Sequence, residues 1–160
     1  MTIGDVMPPF NPKEYKVTPL RDCPVPDEML LCDTPEKAVE YWHLHVETGA
    51  YFNPECECLV VLLVNTRRRV KGHQLLTMGT KDTLLVNTSE VFRTAVIAGS
   101  AALILMHNHP SGEPEPSEAD IKVTRDLIRA GQLLKIEVLD HVIVGNPHHC
   151  SLRQLGFFYT

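Results

Sequence analysis

Two unbroken apolar runs constrain this chain most: residues 59–64, Leu-Val-Val-Leu-Leu-Val, and residues 101–106, Ala-Ala-Leu-Ile-Leu-Met. Runs of this length with β-branched residues and no polar interruption are typical of strands buried at the centre of a sheet. The second run leads directly into His107-Asn108-His109. Helix signals surround both runs. Thr34 can cap a helix, Pro35 suits its first position and Glu36 complements its dipole, so a helix is expected to about Glu47, stopping near Gly49. Residues 65–69 read as a turn, 70–78 as a second strand, and Leu84-Leu85-Val86 as a short third segment. Thr88-Ser89-Glu90 opens another helix, which Gly99 ends. Residues 110–116 contain three prolines and Gly112, and must be loop. A further helix is expected from Ser117 or Glu118 to about Ala130, closed by Gly131, followed by two closing strands at 134–139 and 141–144. The pattern predicts an α/β domain, a mixed central sheet flanked by helices.

Composition narrows the function classes. A chain of 160 residues suits one domain. Residues 1–33 are proline-rich without periodicity and read as an arm, leaving 34–160 as the folded domain. The net charge of −5 gives no general attraction to nucleic acid or anionic lipid. Arg67, Arg68, Arg69 and Lys71 form a short basic run that reads as a solvated turn. No apolar stretch is long enough to span a bilayer, and residues 1–10 lack a signal-peptide pattern, so the expectation is a soluble cytoplasmic protein without a membrane role. The five cysteines are an odd number and argue against a disulfide framework. Cys56 and Cys58 form C-x-C; a second metal site there is the alternative to buried, reduced cysteine.

His107 and His109 carry the chemistry. Residues i and i+2 of extended chain point to one side, so two imidazoles can converge on one ion. Zinc accepts two neutral histidine nitrogens and a carboxylate while keeping a fourth position for water. Asp120, in the first turn of the helix after the loop, is the best third ligand. Two histidines alone would prove little.

The whole phrase is more specific: His107-Asn108-His109-Pro110-Ser111-Gly112, then Pro116-Ser117-Glu118-Ala119-Asp120. It resembles the JAMM signature, H-x-H-P followed by S-x-x-D, of the JAB/MPN-type zinc metalloproteases, and the H-N-H-P-S-G form is similar to their RadC branch. Residues 101–105 before the histidines, Leu139-Asp140-His141-Val142-Ile143-Val144-Gly145 after them, and Ser151-Leu152 agree with that branch. The resemblance covers about residues 34–156. It implies a JAB/MPN-like, cytidine-deaminase-like fold, Zn2+ on His107, His109 and Asp120, and hydrolysis of a peptide or isopeptide bond by a metal-activated water.

The resemblance also implies a general acid/base at Glu57, before the first apolar strand, where a carboxylate could take a proton from water and pass it to the leaving amine. Glu55 is its rival. Ser117 matches a serine thought to steady the oxyanion, but by position it also reads as a helix N-cap. Asp140-His141 could form an outer pair around the metal or a structural hydrogen bond. His43, His45, His148 and His149 read as surface or packing residues, and Glu113 and Glu115 as solvated. The partner implied is a peptide or protein. A DNA-repair-associated, nucleic-acid-processing role is an alternative carried by the RadC association. Full-length relatives bear an N-terminal helix-hairpin-helix segment, and residues 1–33 show no paired apolar helices. A partner-binding MPN scaffold is a third reading, though such scaffolds usually lose the ligands kept here. Oligomeric state is not readable.

Overall fold

The computed structural model describes residues 11–79 and 86–158. Its centre is a five-stranded sheet. Helix α1 (Pro35–Tyr41) precedes β1 (Cys58–Val64) and β2 (Val70–Met78). Helix α2 (Thr88–Ile97) leads to β3 (Ala102–Asn108), and α3 (Glu118–Leu134) to β4 (Glu137–Val144) and β5 (His149–Ser151). The strand order is β2-β1-β3-β4-β5. β1 is antiparallel to β2 and β3, β3 is parallel to β4, and β5 is antiparallel to β4, so the sheet is mixed.

Every residue of β1 and β3 is buried, as their apolar sequences require. Alternation divides them between two cores. Val60, Leu62, Ile104 and Met106 pack with Ala38, Tyr41 and Trp42 on the α1 side. Leu59, Val61, Leu63, Leu103 and Leu105 pack with Val91, Phe92, Ala95 and Leu127 on the α2–α3 side. Helices therefore cover both faces, and the expected α/β architecture is the one observed.

Local signals explain most helix ends. The Thr34 hydroxyl accepts from Lys37 N, with Pro35 at the first position of α1. The chain then passes into a π-helical turn, Trp42–Val46, that buries Trp42 and Val46. Asn87 caps α2, and Gly99 follows its end at φ +62°. α3 differs from expectation. It runs past Gly131 to Leu134 and ends on Lys135 in the left-handed region, φ 59°. Gly131 does not stop the helix. It is the point of closest approach to the returning chain, where an added Cβ would lie 2.4 Å from the Ile136 carbonyl oxygen.

The two closing strands expected at 134–139 and 141–144 are instead one strand, β4. The alternation breaks because of a bulge: Leu103 pairs with Val138, but Ile104 pairs with Asp140, leaving Leu139 extra. An extra residue reverses the facing of everything after it. Val138 faces α3, and beyond the bulge His141 faces α3 as well, where an unbroken strand would have sent it to the α1 side. β5 (His149–Ser151) is a further strand not expected from the sequence, and it contains His149.

Tyr15, Val17 and Leu20 are exposed, whereas Met29 and Cys32 belong to the α1-side core, with Cys23 and Val25 packed against it. Val70 N donates to Leu30 O, and Arg21 Nη2 to His45 O at 2.8 Å. Residues 66–68 form the turn between β1 and β2, closed by hydrogen bonds from Arg68 N to Asn65 O and from Asn65 N to Arg69 O, with Arg68 at φ 62° and paired to Glu137 at 3.8 Å. The segment Leu84-Leu85-Val86 lies outside the described residues except for Val86, which is not in a strand. No described helix is long and apolar enough to cross a membrane.

Candidate metal centre

β3 carries His107 on its α3-facing side, fully buried, and His109 follows just past the strand end. His109 N donates to Val144 O at 3.0 Å, which extends the β3–β4 ladder by one residue and holds the second imidazole beside the first. The loop then folds back. Gly112, at φ +86°, donates from N to His109 O and accepts at O from Asn146 N, each at 2.9 Å. That return places the first turn of α3 over the end of β3. Ser117 and Asp120 form a capping box: Asp120 N donates to Ser117 Oγ at 3.1 Å and Ser117 N to Asp120 Oδ2 at 2.9 Å. The box fixes the Asp120 carboxylate at the helix start, facing the histidines.

Three side chains meet as a result. His107 Nε2 lies 3.0 Å from His109 Nε2, 3.4 Å separate His107 Nε2 from Asp120 Oδ1, and 3.3 Å separate His109 Nε2 from Asp120 Oδ2. Their ligand atoms all fall within 4.8 Å of one another, a group that could hold a metal ion. The donor set fits a divalent transition metal: two imidazole nitrogens and a carboxylate oxygen, largely withdrawn from water. Among the described residues this is the one such group of three or more; Cys56 and Cys58 belong to none. All five cysteines are free.

The electrostatics agree with the geometry. Burial works to raise the Asp120 pKa, but hydrogen bonds to His107 and His109 and from Ser117 N hold it well below the usual carboxylate range. The Asp120 carboxylate raises His109 against the effect of burial, with the Glu113 carbonyl and the Glu57 charge adding to the rise. Behind the cluster, His107 Nδ1 lies 2.7 Å from His141 Nε2, and His141 Nδ1 lies 2.6 Å from Thr124 Oγ1. Thr124 Oγ1 donates to Asp120 O at 2.7 Å. His109 Nδ1 lies 2.8 Å from Glu113 O.

Residues 32–157 match the family of RadC-like JAB domains. The chain belongs to this family. Its relatives include a UPF0758 protein of Chloroflexus aurantiacus, 48% identical over 100 residues, covering 62% of this chain and 44% of that protein. A UPF0758 protein of Thermosynechococcus vestitus is 44% identical over 99 residues, covering 62% of this chain and 40% of the relative. One from Methanosarcina acetivorans is 39% identical over 101 residues, covering 63% and 44%. The chain thus spans less than half the length of these relatives.

In this RadC-like JAB domain, Glu57 is half-buried immediately before β1. By alternation with Leu59 and Val61 it falls on the α3 side, the side of His107, and its charge reaches His109. Glu55 sits in the preceding turn, exposed, with its N donating to Asn53 Oδ1 at 3.0 Å. Ser117 is the N-cap of α3; its oxygen accepts from Asp120 N and its O–H remains to donate. Glu113 and Glu115 are exposed. His45 is buried with Nε2 2.6 Å from Pro24 O, and His43 pairs with Glu47.

Two features escaped the sequence reading. Asn108 lies between the two histidines and faces the opposite way, its side chain reaching β1: Cys58 N donates to Asn108 Oδ1 at 2.8 Å, and Asn108 Nδ2 to Cys56 O at 3.0 Å. Thr124 lies one helical turn after Asp120, a spacing that marks a shared helix face but not the partner it meets.

Proposed function

We propose that this RadC-like JAB domain is a zinc-dependent hydrolase that cleaves peptide or isopeptide bonds. The observation that carries the reading is the convergence of His107 Nε2, His109 Nε2 and the Asp120 carboxylate at 3.0–3.4 Å. Three protein ligands of this kind leave room for a fourth, as catalytic zinc sites do and closed structural ones do not. Bound there, zinc would supply Lewis acidity, polarising a scissile carbonyl and lowering the pKa of water.

The chain's own groups take the remaining roles. Glu57, on the ligand side of the sheet, accepts the proton of the attacking water and returns it to the leaving amine nitrogen. Ser117 keeps a donor O–H while its oxygen caps α3, and that donor is free to meet the oxygen that gains negative charge. The substrate is a peptide or protein. Five unpaired cysteines suit a reducing compartment, which supports a cytoplasmic setting.

Elemental analysis tests the metal. Wild type should carry about one zinc per chain, as a single three-ligand site implies, and the doubly substituted His107→Ala, His109→Ala protein should carry none. Turnover of fluorogenic peptides and isopeptide-linked conjugates should vanish on chelation and return with zinc. Equal zinc in both proteins would place the metal elsewhere and overturn the reading.

A further inference from the structure

Beside His109 the loop that follows β3 lies against the connection from β4 to β5, and backbone hydrogen bonds close a ring between them. His109 N donates to Val144 O at 3.0 Å, Asn146 N to Gly112 O at 2.9 Å, and Gly112 N back to His109 O at 2.9 Å. A fourth bond, Gly145 N to His148 O at 2.9 Å, folds the β4–β5 connection itself. The ring begins and ends on one candidate ligand.

The two segments approach more closely than a side chain would allow. A Cβ on Gly145 would lie 2.4 Å from Gly112 O, 2.7 Å from His148 O and 3.1 Å from Pro114 Cβ. From the other side, a Cβ on Gly112 would lie 3.2 Å from Asn146 O, and Gly112 holds φ +86°. Glycine is the residue that permits both the approach and the conformation. We propose that the Gly112–Gly145 contact is a seat that positions His109: how deeply the loop settles on the β4–β5 connection sets where the second imidazole stands relative to His107 and Asp120. The inference rests on the zinc reading only for what that imidazole would bind.

The other two candidate ligands have supports of their own. His107 is fully buried in β3, and Asp120 is fixed by the capping box of α3. His109 lies past the end of β3 and is only partly buried, so core packing does not fix its ring. Its Nδ1 lies 2.8 Å from Glu113 O, one residue beyond Gly112. Whatever moves Gly112 therefore moves the group that orients the ring. Ordinary contact needs about 3.5 Å, so a methyl group on Gly145 would push the Gly112 carbonyl back by on the order of 1 Å. Ligand distances in metal sites scatter by only about 0.2 Å, so a displacement of that size matters there. Ser111, Glu113 and Glu115 are exposed, and their side chains can change around the seat without disturbing it.

The test is a zinc titration with chelator competition, read beside imidazole 15N spectra of the metal-free whole chain. Gly145→Ala should bind zinc about 10–100-fold more weakly, the usual loss when an outer partner is disturbed. Its His109 resonances should shift while those of His107 stay in place. Gly112→Ala enters the same contact from the opposite side and should act in the same direction, so the seat is read even where Gly145→Ala does not fold. Gly131→Ala is the matched control: its Cβ would also lie 2.4 Å from a carbonyl oxygen, but about three turns along α3 from Asp120. It should melt lower than wild type yet keep wild-type zinc affinity and His109 resonances. A folded Gly145→Ala or Gly112→Ala protein with wild-type zinc affinity and unshifted His109 would overturn the seat. An equal loss of zinc affinity in Gly131→Ala would also overturn it, since general destabilisation would then be the cause. If wild type takes up no zinc while His109 still shifts in Gly145→Ala, the seat stands and the zinc reading falls.

Discussion

The side-chain amide of Asn108 brackets Glu57, accepting from Cys58 N at 2.8 Å and donating to Cys56 O at 3.0 Å. The backbone ladder between β1 and β3 ends at the pair Leu59–His107. Asn108 continues it with a side chain, so the segment that carries both histidines also sets the path of the chain through Glu57. Gly79 N holds the same segment from the β2 side, donating to Glu57 O at 2.7 Å.

Replacing Asn108 by Ala should therefore act at a distance from itself. It strands the buried Cys58 N–H and should lower stability by about 1–3 kcal/mol, the cost of one unsatisfied buried group. Turnover should fall while zinc content stays, because His107 and His109 keep their own supports. A melting curve, elemental analysis and an activity assay on one preparation check this; loss of zinc would show that Asn108 serves the ligands rather than Glu57.

Glu57→Gln should retain zinc and melting temperature but lose about 10²–10⁴-fold in hydrolysis, the usual worth of a positioned acid/base. Glu55→Gln, altering an exposed turn residue, should behave as wild type. An inactive Glu55→Gln beside an active Glu57→Gln would shift the assignment by two residues.

His73 gives a pH signature away from the ligands. Burial, with Arg21 and His45 nearby, lowers its pKa to about 4, and the neutral ring lies 2.7 Å at Nδ1 from the Tyr41 hydroxyl. A histidine depressed in the folded state binds more protons when unfolded. Its contribution is complete above the unfolded value of about 6.5 and is lost as pH falls from there toward 4. Thermal melts across that range should show stability dropping with acid, and His73→Gln should have a shallower slope than wild type. An unchanged slope would assign the acid loss to other groups.

Gly131→Ala should destabilise by about 1–3 kcal/mol through overpacking, against the usual gain of Ala in a helix, because its Cβ would press on the Ile136 carbonyl. Thermal denaturation reads this directly, and an equal or higher melting temperature would mean that α3 shifts easily.

These same residues show where the sequence was legible. The continuous apolar runs and the Thr34-Pro35-Glu36 start have one local interpretation each, and the strand and helix are where they indicate. Gly131 was misleading because a glycine signals either a helix end or a close approach, and only the returning strand decides which. His141 could not be placed from alternation, since one bulged residue reverses the facing beyond it. The three-ligand group was readable from its spacing and resemblance. Its support was not, because Thr124 and Asn108 act on partners 17 and 50 residues away in sequence.

β1 enters the sheet at the same edge where β3 leaves it, since the two are antiparallel. The segments that frame the cluster, residues 53–55 and 110–116, are therefore both overhangs on one rim of the sheet. Exchanging or lengthening either one alters what can approach the rim without moving a ladder hydrogen bond or a core side chain. Diversification of recognition in such an architecture is cheap at that rim and costly everywhere else, and chimeras swapped at these two segments are the natural units in which to look for it.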